Sequence, residues 1–148
     1  MDPGRTTDVQ EEIPIIWANE KAYNDARVAR VFNHRRPQRY PLAIVHATTE
    51  NDVMHTIKLA KNLNCKVSIR SGGHSWAAWS VRDNAILVDL VGMNSIEYDE
   101  ASGIVKAGPA TTSEQLNTFL EPYRRMFNSG HSPSVGLGGF LYVPSRRY

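Results

Sequence analysis

A strand-length stretch, Lys66 to Ile69, runs straight into Arg70-Ser71-Gly72-Gly73-His74-Ser75. This junction constrains the fold more than any other part of the chain. A glycine pair directly after a strand lets the backbone take positive φ and come close to a ligand. Successive N–H groups in such a turn can cradle an anion such as a pyrophosphate. The histidine that follows is then held beside whatever the turn binds.

The flanking sequence supplies a sheet behind this turn. Leu42-Ala43-Ile44-Val45 reads as a short buried strand. After it, Thr49 and Asp52 form a capping-box-like pair, with Glu50 adding favourable charge in the first helical turn. Val53, Ile57 and Ala60 recur at helical spacing, Lys58 and Lys61 sit near the C-terminal end, and Asn62 and Asn64 fit a stop. Strand, helix and strand in this order predict a parallel pair with a right-handed crossover. Upstream, residues 18–33 read as a helix with Ala22, Tyr23, Ala26, Ala29, Val31 and Phe32 on its apolar face, ended by Pro37 and Pro41.

Downstream, Asp83-Asn84 turns the chain into the buried strand Ala85 to Val88. Ser95 to Tyr98 and Ile104 to Ala107 flank the turn Asp99 to Gly103, which predicts an antiparallel hairpin. Thr112 and Gln115 form a capping box for a further helix with Leu116, Phe119, Leu120 and Tyr123 on its face. The predicted fold class is α+β: a small parallel βαβ unit plus an antiparallel hairpin and helices.

Composition excludes several classes. A hydrophobic fraction of 41% over 148 residues is enough for one cored domain. The net charge of +2 is too small to argue for nucleic acid. Arg35, Arg36 and Arg39 read as a solvated face. No apolar run approaches the roughly 20 residues that span a bilayer. Met1 to Glu12 is polar and acidic without a signal-like apolar region, so the chain reads as cytoplasmic, with residues 1–17 a disordered tail. Cys65 is the single cysteine. It reads as a small packed residue. The histidines show no metal-ligand spacing.

A second loop, Asn128 to Gly139, has glycines at 130, 136, 138 and 139 and a histidine at 131. Neither loop fits the dinucleotide or P-loop motifs, and each alone is a common kind of turn. Together they predict one elongated phosphate-bearing ligand contacted from two sides.

The string Ile69 to Ser75, then Ile86-Leu87-Val88-Asp89-Leu90 and Met93 to Ile96, then Gly130-His131-Ser132-Pro133-Ser134-Val135-Gly136-Leu137-Gly138-Gly139 resembles the FAD-binding domain of the vanillyl-alcohol oxidase (PCMH-type) superfamily. The branch it looks most like is the berberine-bridge-enzyme-like oxidases, which include 6-hydroxy-D-nicotine oxidase. Tyr23 to Asn33 and Ala43 to Val53 also resemble that family's N-terminal stretch, so the likeness covers roughly residues 20–141. The resemblance implies FAD as cofactor and a truncated FAD-binding domain at 18–141, followed by an atypical tail at 142–148. It implies cofactor contacts from Arg70, Ser71, Gly72, Gly73, His74, Ser75, Thr111, Gly130, His131, Ser132, Val135, Gly136, Gly138 and Gly139.

By the same resemblance His74 is the covalent link to the flavin. A cysteine that gives many relatives a second link is replaced here by Ser132, which lacks a thiolate. The family oxidises small organic substrates by hydride transfer, with dioxygen reoxidising the flavin. Its substrate domain and catalytic base lie beyond the second loop, so no catalytic residue is assigned and the chain reads as an N-terminal fragment. The alternative is an inactive remnant or interaction fragment with weak or no FAD binding.

The remaining side chains read more blandly. His131 is a loop residue, and His46 and His55 are structural or surface residues. Trp76 and Trp79 read as core packing. Asp89 reads as the end of a strand that caps the next turn. Thr112 serves a helix cap as well as a cofactor contact.

Overall fold

The computed structural model describes residues 13–142. The expectations for residues 1–12 and 143–148 lie outside the described residues. Six strands and four α-helices follow in chain order among them: β1 (Ile15–Trp17), α1 (Tyr23–Val28), β2 (Ala43–His46), α2 (Glu50–Asn62), β3 (Lys66–Arg70), β4 (Ala85–Asp89), β5 (Ile96–Asp99), β6 (Ile104–Ala107), α3 (Ser113–Leu120) and α4 (Leu137–Tyr142). A 3₁₀ turn at Glu121–Tyr123 extends α3.

The main sheet has the order β1-β2-β4-β3. β4 is parallel to both β2 and β3 and lies between them. The predicted β2–β3 pair therefore shares a direction without touching. All five residues of β4 are buried, as expected for a central parallel strand covered on both faces. Ala43, Val45, Ile86 and Val88 form the larger core with Ala60 of α2 and Leu90, while Ile44 and Leu87 face Tyr23 of α1 on the other side. Cys65 packs against the larger core.

β1 corrects the expected tail through residue 17. Ile15, Ile16 and Trp17 pair antiparallel with Val45, Ile44 and Ala43, because an Ile-Ile pair can cover the free edge of β2. The apolar run Ile13 to Trp17 was the available signal.

The predicted helix over 18–33 shrinks to six residues. Its last carbonyls, at Ala26 and Arg27, accept hydrogen bonds from the Arg70 guanidinium at 2.7 and 2.8 Å. Beyond it, the Phe32 N–H turns to the Gly73 carbonyl at 3.2 Å. Long-range partners thus take the groups that would have continued the helix.

α2 begins as predicted, with a complete Thr49/Asp52 capping box. Its buried face is Thr56 and Ala60, with Val53 partly buried, and Ile57 is exposed. The β5–β6 hairpin forms in the predicted register, with Ile96 opposite Ala107 and Asp99 opposite Ile104. α3 starts at the Thr112/Gln115 capping box. Leu116 and Leu120 of α3, together with Leu137 of α4, pack on Ile96, Tyr98 and Val105 of the hairpin. That packing fixes where the second loop returns to the sheet. The loop itself ends at Gly136, since Gly138 and Gly139 lie in α4.

Candidate cofactor site

The parallel strands end together at His46, Arg70 and Asp89. Ligands of parallel sheets gather at such carboxyl ends, and the first glycine loop leaves from this edge. Its support is a buried charge network. The Arg70 guanidinium donates to Asp89 Oδ2 from Nε at 3.0 Å and from Nη2 at 2.7 Å. Arg70 is 2% exposed and Asp89 1%. Arg30 Nη1 pairs with the other oxygen, Asp89 Oδ1, and Arg30 Nη2 donates to the Ser71 carbonyl at 2.5 Å. Asp89 also accepts from the Val91 N–H at 3.2 Å, the turn-capping contact read from the sequence.

A buried guanidinium and a half-buried one around one buried carboxylate would be costly unless their hydrogen bonds are made. Here the remaining Arg70 donors are taken by the α1 carbonyls. The Arg70 side chain therefore faces the interior and holds the loop, away from any ligand surface.

This network orients the loop backbone. The Ser71 carbonyl is tied to Arg30, and the Gly73 carbonyl to the Phe32 N–H. Among the described residues, no hydrogen bond engages the N–H groups of Gly72, Gly73, His74 or Ser75. Carbonyls tied back and N–H groups left open make an anion nest. Gly73 has φ +76°, and a Cβ there would collide with the Arg30 carbonyl. Ser75 uses its hydroxyl locally, accepting from the Trp79 N–H at 3.1 Å.

The second loop meets the first backbone to backbone. A Cβ on Gly136 would lie 2.7 Å from Gly72 N and 2.8 Å from Ser71 Oγ. Ser71 Oγ itself donates to the Pro109 carbonyl at 2.6 Å. Thr111 and Val135 bracket α3: the Leu137 N–H donates to the Thr111 carbonyl, and the Ser113 N–H to the Val135 carbonyl. Among the described residues, the buried Thr111 Oγ1 has no hydrogen-bond partner. Gly138 packs on Pro109, while Gly139 is open and Gly130 makes only ordinary contacts with Val135 and Phe140. The structure thus joins Ser71 to His74 with Ser134 to Gly136 and Gly138, and leaves Gly130 and Gly139 at the margin.

His74 bridges the loops. Its Nε2 lies 3.0 Å from Ser134 Oγ, which lies 3.2 Å from Ser132 Oγ. Its ring stacks on Phe32 with centroids 4.7 Å apart. Burial lowers its pKa below the ordinary 6.5; nearby His131 lowers it further, and a backbone hydrogen bond at Ser134 opposes both. A neutral imidazole with a fixed plane can act as a nucleophile.

Three side-chain readings change. Trp76 and Trp79, expected in the core, are 73% and 59% exposed. Trp76 meets Phe32 edge-on at 5.3 Å, and Trp79 lies between the Arg39 and Arg82 guanidinium groups. The Trp79 indole covers charged surface and Trp76 lies against Phe32, instead of filling a core that Val31, Ala78 and Val81 already close. Arg39, expected on a solvated face, is half-buried and donates to the carbonyls of Ala77 and Ala78 at 2.5 and 2.7 Å. The roles of Arg30 and Asp89 in holding the loop had no local sequence signal. Among the described residues, no helix is long and apolar enough to cross a membrane.

Comparison with known proteins places this geometry. A family described as FAD binding domain matches residues 41–143. The chain is 44% identical over 132 residues to the FAD-linked oxidoreductase janO of Penicillium janthinellum, covering 88% of this chain and 29% of that protein. It is 35% identical over 112 residues to a carbohydrate oxidase of Microdochium nivale, covering 73% of this chain and 22% of that protein. Among solved structures, 6-hydroxy-D-nicotine oxidase from Arthrobacter nicotinovorans superposes with a TM-score of 0.76 at 25% identity, covering 90% of this chain and 29% of that one. BBE-like 1 of Physcomitrella patens gives 0.76 at 25% identity, covering 86% and 28%. The chain thus spans about 29% of the length of such relatives. The open N–H groups after Ser71 and the close glycine junction fit a diphosphate laid across both loops.

Proposed function

The chain belongs to the FAD-binding-domain family of berberine-bridge-enzyme-like oxidoreductases and its cofactor is FAD; from that premise we propose that it grips FAD between its two glycine loops and carries it mono-covalently on His74. The supporting observation is that the loops, about sixty residues apart in sequence, meet at Gly72 and Gly136 with His74 reaching Ser134 beside the junction. In this reading the N–H groups of Gly72 to Ser75 hold the diphosphate. The Arg30–Asp89–Arg70 network keeps those groups turned outward. Ser132 offers no second link, so the attachment is single.

When bound, FAD supplies hydride acceptance from a small organic substrate and electron delivery to dioxygen. The residues described here do the holding. They bind the diphosphate, fix the imidazole and keep the loop carbonyls off the anion. Substrate choice and the catalytic base are assigned to parts of the longer relatives that this chain does not span.

Acid precipitation after incubation with FAD in air tests this function. A yellow pellet is the expected result. A colourless pellet from a chain that also fails to quench FAD fluorescence would favour the inactive remnant.

A further inference from the structure

Phe32, His74, Ser134 and Ser132 form a line across three separate segments of the chain. The His74 ring lies flat on Phe32, with the two planes 12° apart. Stacking fixes the plane of the imidazole but does not choose which nitrogen carries the proton. That choice belongs to the hydrogen-bond partners. Nε2 faces Ser134 Oγ at 3.0 Å, while among the described residues Nδ1 makes no hydrogen bond. A serine hydroxyl alone could donate or accept. Ser134 Oγ, however, has a second oxygen beside it, Ser132 Oγ at 3.2 Å. The two contacts allow Ser134 to give its own proton to Ser132 and to accept from Nε2–H.

Resting on the reading of His74 as the flavin link, we propose that Ser134 is a positioning residue that holds His74 as its Nε2–H tautomer and so presents an unprotonated Nδ1 as the nucleophile. The Nδ1 lone pair forms a bond to the 8α carbon of the flavin, and one C–H bond at that carbon breaks. The imidazole sheds its Nε2 proton through Ser134 and Ser132 to solvent. The two electrons and two protons released reduce dioxygen to hydrogen peroxide. Ser134 and Ser132 are half-buried or exposed at the loop surface, which gives the proton a path out.

The test begins on the whole chain without FAD. Long-range nitrogen-15 spectra of the histidine rings report the tautomer directly. The Nε2–H form is expected to dominate at His74 in the wild type. Ser134→Ala should lower its ratio to the other form by about 2- to 10-fold, the worth of one ordinary hydrogen bond. Ser134→Thr should restore it. Backbone amide spectra that match away from the two loops verify that both variants fold.

The same proteins are then incubated with FAD in air. Acid-stable flavin should accumulate up to about fivefold more slowly in Ser134→Ala, as the Nε2–H population falls, and recover in Ser134→Thr. A His74 tautomer ratio that Ser134→Ala leaves unmoved overturns the proposal, as does an attachment rate equal to wild type. If the wild type takes up no acid-stable flavin, the covalent reading falls, and the tautomer spectra still decide the role of Ser134.

Discussion

The first glycine loop hangs from a buried charge network, whereas the second rests on backbone contacts and apolar packing. Behind Ser71 to Ser75 stand Arg30, Arg70 and Asp89, with Arg70 and Asp89 almost fully removed from water. Behind Val135 and Gly136 stand two backbone bonds to the start of α3 and the contact of Leu137 with Leu116 and Leu120. Charge-assisted bonds are directional and strong when buried, while apolar packing tolerates small shifts. The first loop is therefore fixed before any ligand arrives. The second loop, with His131, Pro133 and Ser134 exposed, can adjust to what the first one holds. In the proposed function, the contrast gives the diphosphate to the first loop and leaves the second to fit against it.

Removing the carboxylate of Asp89 should break this contrast most severely. Asp89→Ala leaves the buried Arg70 charge without its partner, a change expected to cost about 3–5 kcal/mol. For a chain of this size that corresponds to a fall in Tm of roughly 10 °C or more, measurable by thermal denaturation followed by circular dichroism. A fall of only a degree or two would mean that the network does not hold the loop. Because the Ser71 carbonyl is held by Arg30, which pairs with Asp89, the variant should also lose FAD binding at temperatures where it remains folded.

Gly136→Ala probes the junction between the loops. Its added methyl would meet the backbone of Gly72 and the Ser71 hydroxyl at 2.7–2.8 Å, and backbone atoms cannot step aside as a flexible side chain would. A loss of about 1–3 kcal/mol is expected. FAD affinity, read by fluorescence quenching, should fall by about tenfold or more, since 1.4 kcal/mol is tenfold. Normal affinity would show that the two loops do not share one ligand.

His131→Ala sharpens the comparison gently. Burial still depresses the His74 pKa, but the His131 contribution is gone. The His74 titration midpoint should therefore move up toward 6.5 without reaching it. The sign follows from the folded value lying below the unfolded one. The His74 contribution to stability is fully present above 6.5 and is lost as pH falls through its folded midpoint. In His131→Ala that loss is smaller. Proton NMR titration of the His74 ring reads the shift, and a midpoint that moves down would contradict the assigned cause.

Local chemistry was legible in the sequence and long-range partnership was not. Both capping boxes, at Thr49/Asp52 and Thr112/Gln115, involve residues three apart, so the sequence pattern contains the whole interaction. The hairpin was legible for the same reason. The order and spacing of the two glycine loops carried the family resemblance, although each loop alone is a common kind of turn. Arg30 and Asp89 lie 59 residues apart, and no spacing rule connects them. The same limit explains α1. Its apolar pattern continues to Phe32, but Arg70, which takes its carbonyls, stands more than forty residues away. Trp76 and Trp79 were misplaced because indole size predicts burial on average, whereas here Trp79 meets two arginines and Trp76 meets Phe32 at the surface.

The central claim is that His74, set at the junction of the two loops, is the single covalent attachment point. Peptide mapping after incubation with FAD in air tests it most directly. Trypsin should release Ser71 to Arg82 as one peptide, and the account predicts that flavin absorbance and mass travel with it, on His74. Flavin on any other peptide, or attachment that persists in His74→Ala, would contradict the account.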